Sequence, residues 1–360
     1  MQRAARDKAS PKGVKGKDKT IAKQVKARVE APKKKKAEYE GNTEIMISTG
    51  STLLDLAISG GRVRGGGLPG GILVEIFGPE SSGKTVLLCE IAGDVQRSGG
   101  EIMFGDPEAR LNTQFAQIFD LNTEDMELTV PNTVTEVFTD LRKWIPENNK
   151  INGAFTDSLA ALSTDLEMDD ENGDKMGMRR AKEFSEQLRK TCRILSSSNT
   201  LLVCSNQIRE NIGAGKFEQK YKPPGGKGIA FYSSLRLRTK ILGSLVRKRK
   251  IKGKERKVVY GVQIEIEVVK SSVWHPKRTA LIAIDFRYGV DDIRENLKYL
   301  KDMYQATTYD IGDRKLHKNI QDAIVIVEKE GLEETLRDEV IAVWEELEEE
   351  FKVERKPKKR

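Results

Sequence analysis

A glycine-rich stretch carries the clearest chemical signal in the sequence. It fits the pattern G-x-x-x-x-G-K-[ST] without a mismatch, and its members are Gly78, Pro79, Glu80, Ser81, Ser82, Gly83, Lys84 and Thr85. In such a loop the backbone N–H groups surround phosphates, the lysine reaches the outer phosphates, and the final hydroxyl binds Mg²⁺. The stretch therefore predicts binding of a nucleoside triphosphate together with Mg²⁺.

The flanking residues have the order that a phosphate-binding loop requires. A β-prone apolar run over 73–77 precedes the loop, and apolar residues recur at helical spacing from Val86 to Val95 until Gly99. A helix that begins at the loop adds its own preference for anions. The alternative, a plain glycine-rich turn that happens to end in Lys-Thr, does not account for this order of strand, loop and helix.

Carboxylates follow two other apolar runs. Asp157 ends one run and is the candidate for a second metal ligand beside Thr85, while Asp106 and Glu108 end another. At the edge of a sheet, a carboxylate of this kind can orient and deprotonate an attacking water. An aspartate after an apolar run is also common as a plain strand end, so this signal alone is weak.

The rest of the chain supplies the elements that would position these groups. Apolar, strand-like runs alternate with helical patterns, which predicts an α/β fold with a mostly parallel sheet and crossover helices. Residues 336–351 have one apolar face and one glutamate-rich face, which predicts an amphipathic helix in a smaller unit. Strands are predicted over 73–77, 102–105, 154–156, 201–204, 235–237, 258–269 and 280–286.

Composition narrows the class of protein further. The 360 residues are 38% hydrophobic and 33% charged, no apolar run approaches the length that spans a bilayer, and the basic amino terminus lacks the apolar core of a secretory signal. A cytoplasmic protein without a membrane partner is expected. Three isolated cysteines and two histidines do not provide the ligand set of a zinc site.

The positive charge is concentrated at the amino terminus. Residues 1–36 hold 14 lysines and arginines against 3 acids, so the remaining 49 basic and 52 acidic residues give a net charge of −3. We expect residues 1–40 to be a disordered basic tail that binds a polyanion such as nucleic acid, or a merely solvated leader. A second basic stretch, 247–254, is predicted to be a hairpin tip, which is usually a solvated turn and otherwise a phosphate contact.

Several motifs together resemble the bacterial RecA recombinases. They occur in the order and at roughly the spacing of that family, and the resemblance extends from about Ile45 to the end of the chain. Residues 309–344 resemble the family's small carboxy-terminal domain. The other matching segments are 47–51, 78–85, 106–109, 157–162, 205–209 and 225–232.

The resemblance implies the fold and the domain bounds. A RecA-type P-loop ATPase core with two DNA-binding loops would occupy residues 41–288, followed by a small α+β domain over 289–353 and a basic tail over 354–360. The same resemblance implies ATP and Mg²⁺ as cofactors.

Catalytic roles also follow from the resemblance. Glu108 takes the place of the base that activates water, and Gln207 takes that of the residue that senses the γ-phosphate and links it to DNA binding. Lys84 belongs to the same catalytic set. Lys270 matches an interface lysine that reaches ATP bound on the neighbouring subunit.

Further contacts are implied around the base and at the subunit interface. Phe115 falls where the family stacks an aromatic ring on adenine, and Asn112 stands where the family has an aspartate near the base. Phe231, Arg236 and Lys270 are implied at the interface between subunits.

Two loops are expected to face DNA. The first is the segment 167–180, and the second, 209–227, combines flexible glycines, cations and aromatic rings, the mix that tracks a phosphate backbone beside unpaired bases. A long mobile surface loop is the alternative for the second. The candidate DNA-binding residues are Met176, Gly177, Arg179, Arg180, Arg209, Ile212, Lys216, Phe217, Lys220, Tyr221, Gly225, Gly226 and Lys227.

The sequence departs from the family pattern at the subunit interface. Ser272 stands where the second of two interface lysines is expected, and Ala230 replaces a basic residue beside Phe231. Basic residues also end the chain where the family has an acidic tail. These departures favour a divergent relative over a cellular housekeeping RecA, with a phage as one source, and weaker transition-state stabilisation by the neighbouring subunit is one expected consequence.

The function that the resemblance implies is that of a recombinase. Such a protein is a DNA-dependent ATPase that forms a helical filament on single-stranded DNA and promotes pairing and strand exchange with homologous double-stranded DNA in recombination and repair. Single-strand-binding protein and loading mediators are implied partners, and the nucleoid, or the cytoplasm of a phage host, is the implied location. Two alternatives stay open: a DNA-binding filament mediator with weak ATPase activity, and a RecA-fold ring motor such as a helicase.

Overall fold

The computed structural model describes residues 45–165, 176–210, 221–222, 226–353 and 355. The chain divides into residues 1–40 and residues 41–360, and all described residues belong to the second unit. The predicted basic tail at 1–40 lies outside the described residues, and so does most of the tail at 354–360.

Most strands of the described chain join one sheet. The strands are β1 (Leu73–Gly78), β2 (Ile102–Gly105), β3 (Met126–Thr129), β4 (Asn152–Thr156), β5 (Thr200–Gln207), β6 (Arg209–Glu210), β7 (Tyr221–Lys222), β8 (Leu235–Ile251), β9 (Lys254–Ser271), β10 (Thr279–Asp285), β11 (Gly289–Val290), β12 (Tyr309–Ile311) and β13 (Arg314–His317). The main sheet has the order β11-β10-β9-β8-β1-β5-β4-β2-β3, and β6 with β7 and β12 with β13 form two small ladders.

Helices connect and cover these strands. They are α1 (Thr52–Ser59), α2 (Lys84–Arg97), α3 (Thr113–Gln117), α4 (Val134–Lys143), α5 (Met176–Ser198), α6 (Gly226–Tyr232), α7 (Asp292–Met303), α8 (Ile320–Glu330) and α9 (Glu333–Glu350). The last helix begins three residues before its predicted start. Glu333 and Glu334 lie in its first turn, where negative side chains stabilise the positive end of the helix.

The middle of the sheet is parallel. β3, β2, β4, β5, β1 and β8 run in one direction, whereas β9, β10 and β11 join as antiparallel neighbours. Every residue of β1, β2 and β4 is buried, as expected for parallel strands that are covered on both faces. These features confirm the predicted α/β fold with a mostly parallel sheet.

Two features of the sheet differ from the sequence prediction. The edge strand β3 was not predicted, because its four residues are partly or fully exposed and give no apolar run. β8 and β9 are 17 and 18 residues long, far longer than the predicted apolar segments. Their outer halves are exposed and rich in lysine and arginine, so they carry little burial signal.

The carboxy-terminal elements build an apolar cluster of their own. α7, α8, α9 and the β12–β13 hairpin pack together, and Leu56 of α1 joins them from the core. Asp292, the first residue of α7, accepts hydrogen bonds from the backbone N–H and the Oγ1 of Thr52, both at 2.7 Å. A small α+β unit is thereby attached to α1, while its domain bounds stay a prediction.

A buried carboxyl group joins α2 to β11. Glu90 accepts a hydrogen bond from the backbone N–H of Val290 at 2.9 Å. Burial is the main cause that raises the pKa of Glu90 to about 7; Asp292 and Asp94 act in the same direction, and Arg97 and the Val290 hydrogen bond oppose it. The folded chain therefore binds a proton at Glu90 in a pH range where the unfolded chain does not.

Glu90→Gln is expected to flatten the pH dependence of stability. Because the pKa is higher in the folded chain, the native free energy of unfolding falls as the pH rises from about 4.5 to about 7, by up to about 3 kcal/mol. Glutamine keeps an acceptor for the Val290 N–H and cannot ionise, so the variant lacks this slope. Urea unfolding at several pH values measures the effect, and parallel profiles for the two proteins would contradict it.

Candidate functional site

The glycine-rich loop joins the end of β1 to the start of α2. Gly83 has a φ of 79° and Ser81 a φ of 56°, left-handed conformations that favour glycine. A Cβ atom on Gly78 would lie 1.9 Å from Thr239 Oγ1, so a larger residue does not fit there. No side chain of the described residues caps the 14-residue α2, which leaves its first backbone N–H groups available to an anion.

Lys84 is buried inside this loop. Its Nζ donates hydrogen bonds to the carbonyl oxygens of Pro79 at 2.6 Å and Gly78 at 3.3 Å. Burial lowers the pKa of this ammonium, while the carboxylates of Asp157 and Glu108 act in the opposite direction. The lysine is therefore a desolvated cation that neighbouring carboxylates help to keep charged.

A carboxylate and two hydroxyls meet where the central strands end. Thr85 Oγ1 in α2 donates to Asp157 Oδ2 at 2.5 Å, and Ser205 Oγ in β5 donates to the other oxygen of Asp157. Burial raises the pKa of Asp157, and both hydrogen bonds oppose this shift. Carboxylate and hydroxyl oxygens are suitable ligands for Mg²⁺, so the donor set fits that ion.

Two carboxylates follow β2, and they have different hydrogen-bond partners. Glu108 Oε1 accepts from Ser158 Oγ at 2.9 Å, and its Oε2 pairs with Arg110 at 2.7 Å. Asp106 is buried and accepts from the backbone N–H of Leu111 at 2.7 Å, so it stabilises the turn itself. Glu108 is therefore the better candidate for a catalytic base.

Lys84, Thr85, Asp157, Ser158 and Glu108 line one cavity of about 630 Å³, a volume typical of ligand pockets. Gln207, the last residue of β5, lines it as well. The opposite wall comes from the base of the β8–β9 hairpin and from the end of β10, and includes Ile241, Val262 and Phe286. No motif in the sequence predicted this wall.

Two hydroxyls of the site were also missed in the sequence. Ser158 follows Asp157 directly, and Ser205 lies two residues before Gln207. Since side chains two apart in a strand point to the same face, Ser205 could have been inferred from the placement of Gln207. Ser158 has no comparable signal, because its contact with Glu108 joins two different loops.

Comparison with known proteins identifies the family. The sequence model of the RecA N-terminal domain matches residues 14–291. The chain belongs to the RecA family. It is 33% identical to Protein RecA of Borrelia hermsii (strain HS1 / DAH) over 288 residues, which cover 79% of this chain and 77% of the relative. It is 34% identical to Protein RecA of Borrelia turicatae over 288 residues (79% and 76% coverage) and to that of Thermus thermophilus over 250 residues (69% of each).

RecA-family proteins act in DNA recombination and repair, bind DNA and use ATP with Mg²⁺. At this level the predicted family and function are confirmed, while the roles of individual residues stay predictions. None of the helices in the described part of the chain is long and apolar enough to cross a bilayer.

The two residues predicted to contact adenine lie outside the cavity lining of this RecA-family chain. Asn112 Oδ1 accepts a hydrogen bond from the backbone N–H of Phe115 at 2.8 Å and thereby caps α3. Phe115 packs edge to face on Phe119, with ring centres 5.0 Å apart. The adenine contact of both residues stays a prediction.

Arg236 is half-buried and pairs with a fully buried carboxylate of the RecA-family fold. Its Nε donates to Glu75 Oε2 at 2.5 Å, and its guanidinium lies 4.5 Å from the ring centre of Phe77. Asn206 Nδ2 donates to the other oxygen of Glu75 at 3.0 Å. This network pairs the charge of Arg236 within the chain, and its predicted role at the subunit interface stays a prediction.

The other two interface candidates lie at the end of α6. Phe231 is 74% exposed. Lys270 Nζ donates to the carbonyl oxygens of Ala230 at 3.0 Å and Phe231 at 2.8 Å, a favourable position for a cation at a helix carboxyl end. Burial, with a contribution from Arg236, lowers the pKa of Lys270. The lysine therefore binds its own chain beside an exposed aromatic ring.

The first predicted DNA loop ends earlier than expected. Met176, Gly177 and Arg179 belong to α5, so the prediction of a loop that continues to residue 180 is wrong. Phe184 and Leu188 of this helix are buried at helical spacing, which favours extension of the helix toward its amino end. Residues 166–175 lie outside the described residues.

Arg180 has structural contacts. Its guanidinium donates to the carbonyl oxygens of Leu159 at 3.0 Å and Ala160 at 2.9 Å and lies 5.9 Å from the ring centre of Phe184. It thus holds the turn that follows Asp157, and its predicted DNA contact stays untested.

The second predicted DNA loop is described only at its ends. Arg209 pairs with Lys222 and Glu210 with Tyr221 in the β6–β7 ladder, and Gly226 and Lys227 begin α6. The remaining candidates lie outside the described residues: Ile212, Lys216, Phe217, Lys220 and Gly225.

Arg236→Gln is expected to destabilise the fold by about 3 kcal/mol or more, because it leaves the Glu75 carboxylate buried without its cation. The matched control is Arg238→Gln, since Arg238 is 53% exposed and pairs with Glu267 at the surface. That change is expected to cost less than about 1 kcal/mol. Denaturant unfolding measures both. Native stability together with weakened self-association of Arg236→Gln would contradict this expectation and support the predicted interface role.

Proposed function

We propose that this chain is a DNA-dependent ATPase that forms a filament on single-stranded DNA and promotes pairing and strand exchange with homologous double-stranded DNA. One observation carries the proposal: Lys84, Thr85 with Asp157, Glu108 and Gln207 line a single cavity. They provide a phosphate-binding cation, a metal-binding pair, a carboxylate base and an amide that can sense a phosphate, which are the parts that nucleotide hydrolysis requires.

The cavity would hold ATP and Mg²⁺ through the chain's own donors. The backbone N–H groups at the start of α2 and Lys84 would bind phosphate oxygens, and Thr85 and Asp157 would bind the metal. Bound Mg²⁺ would supply positive charge that stabilises the phosphoryl oxygens. Because Lys84 is buried and Asp157 is half-buried, their contacts are stronger there than in water.

Glu108 would remove the proton from the attacking water. Ser158 holds one of its oxygens in a fixed orientation through the 2.9 Å hydrogen bond. The other oxygen pairs with Arg110, whose side chain is 77% exposed. A pair with such an exposed partner is weak and easily exchanged, so this oxygen is accessible to water.

Gln207 would connect the nucleotide to DNA. It ends β5 in the cavity, and β6 begins only two residues later at Arg209, the start of the predicted DNA segment. A shift of its amide toward a bound γ-phosphate would therefore move the beginning of that segment. ATP would select the state with high DNA affinity, and hydrolysis would release it. Single-strand-binding protein and loading mediators are proposed as further partners in the cytoplasm.

A filament mediator with weak ATPase activity is a second candidate. It is favoured by the contacts of Lys270, whose Nζ donates hydrogen bonds to the carbonyl oxygens of Ala230 and Phe231 in its own chain. Ser272 Oγ likewise donates to the Ser234 carbonyl at 3.2 Å. Both residues would have to change partners before they could act across a subunit interface.

Glu108→Gln is expected to lower DNA-stimulated phosphate release about 100-fold or more while ATP binding is kept, because glutamine cannot accept the proton. Phosphate release with and without single-stranded DNA, together with equilibrium ATP binding, measures the two effects. Lys84→Ala is the control that should lose ATP binding itself. Equal phosphate release by the native chain and Lys84→Ala would favour the mediator.

Gln207→Ala is expected to uncouple DNA affinity from the nucleotide. The variant should bind ATP with near-native affinity, while its affinity for single-stranded DNA no longer rises when ATP is added. Fluorescence anisotropy of a labelled oligonucleotide measures this response. Gln117→Ala removes an exposed glutamine of α3 and should behave as the native chain does. A native ATP response in Gln207→Ala would refute the coupling.

A further inference from the structure

The outer part of the β8–β9 hairpin projects beyond the main sheet. β10 pairs with β9 over 261–267, and β1 pairs with β8 over 235–238. Farther out, the six cross-strand pairs between 246–251 and 254–259 have only each other as strand neighbours within the described chain. They form a ribbon about 20 Å long. All of residues 246–259, here called the basic ribbon, are exposed.

The basic ribbon has a charge pattern that opposes its own stability. It contains eight lysines and arginines and a single acid, Glu255. Lys248 lies directly opposite Lys257, and Arg249 directly opposite Arg256. Like charges in opposite positions destabilise a strand pair, and an isolated two-stranded ribbon is only marginally stable. An anionic partner would remove this repulsion.

The turn at the end of the ribbon adds another cation at a conformational cost. Lys252 and Gly253 have φ values of 49° and 78°, the left-handed pair of a type I′ turn. Asparagine, aspartate or glycine is preferred at the first of these positions. Lys252 is less favourable in this conformation than those residues are. It places a positive charge at the outermost point of the ribbon.

Cations lie on both faces of the ribbon. Because successive pairs alternate, Arg247 and Arg249 lie on one face and Lys248 and Lys250 on the other. A flat anionic surface would engage a single face, whereas a groove with phosphates on both walls engages both. The major groove of B-DNA is about 12 Å wide and admits a two-stranded ribbon.

The ribbon also lacks the side chains that hold unpaired bases. Residues 246–259 include no aromatic residue, whereas proteins that bind single strands stack bases on aromatic rings. Contacts from this segment are therefore expected to go to phosphates.

We propose that the basic ribbon is a binding site for double-stranded DNA, which it enters through the major groove with its cations on the phosphates of both walls. The site is separate from the candidate single-strand segment at 209–227. The proposal depends on the proposed function in one respect: it takes DNA as the polyanion that the basic ribbon binds.

The test compares two sets of four charge removals in the full chain. The ribbon set is Lys248→Gln, Arg249→Gln, Arg256→Gln and Lys257→Gln. The control set removes the same charge from exposed positions of α4, α5 and a surface loop: Lys143→Gln, Lys150→Gln, Arg189→Gln and Arg193→Gln. Anisotropy of a labelled DNA duplex over a salt series, without nucleotide, measures affinity and its salt dependence.

The ribbon set should bind the duplex about tenfold or more weakly. Its slope of log affinity against log salt should be smaller by up to about 3.6, because each phosphate that is no longer neutralised reduces the slope by about 0.9. The control set should change neither quantity comparably. Thermal melting should show an undiminished midpoint for the ribbon set, because the substitutions relieve like-charge pairs. A charge-preserving variant, Lys248→Arg with Lys257→Arg, should keep native duplex affinity.

Equal loss in both sets, or no loss in the ribbon set, would overturn the proposal. Native duplex binding with altered self-association in sedimentation would also overturn it, since the ribbon would then contact an acidic surface of a second copy. DNA-stimulated phosphate release is measured on the same proteins. If the native chain shows no DNA-stimulated phosphate release, the proposed ATPase function is refuted, and the result on duplex binding can still be interpreted.

Discussion

The placement of the buried Asp157 carboxylate depends on the register of three parallel strands. β4 pairs with β5 so that Thr156 lies opposite Cys204, and β1 pairs with β5 so that Gly78 lies opposite Gln207. Asp157 therefore meets the Ser205 hydroxyl one step beyond the last pair. A shift of one residue would turn that hydroxyl to the other face of the sheet. The phosphate-binding loop, the metal ligands and Gln207 are brought together only in the observed register.

This arrangement places charged groups where burial disfavours charge. Burial raises the pKa of Asp157 and lowers that of Lys84, so each shift favours the neutral form. The hydroxyls of Thr85 and Ser205 and the attraction between the two charged groups offset part of the cost. A bound phosphate chain and its cation would offset more, because opposite charges interact strongly in a cavity with little water. The buried charges of the site therefore lower the stability of the protein alone, and a bound charged ligand would reduce this cost.

The sequence predicted the site best where the functional residues lie close together along the chain. The loop at 78–85 and the carboxylates after two strands could be placed because strand, loop and helix follow each other directly. The contacts of Arg236 could not be predicted, because its partner Glu75 lies 161 residues away and nothing in the sequence marks that glutamate as buried. The start of α5 at Met176 was missed for a different reason: Gly177 lies in its first turn, and glycine has a low helix propensity.

The β8–β9 hairpin shows how one element can contain two independent regions. Its base is held by β10, and at Gly261 the backbones approach so closely that a Cβ atom would lie 2.2 Å from the Ile284 carbonyl oxygen. Ile241 and Val262 of this base line the nucleotide cavity. Between the base and the basic ribbon, the register of β8 shifts after residue 241 and again after residue 245. Such bulges increase the local twist of a strand pair and bend the bulged strand. These two irregularities therefore lie between Ile241 in the cavity lining and the basic ribbon.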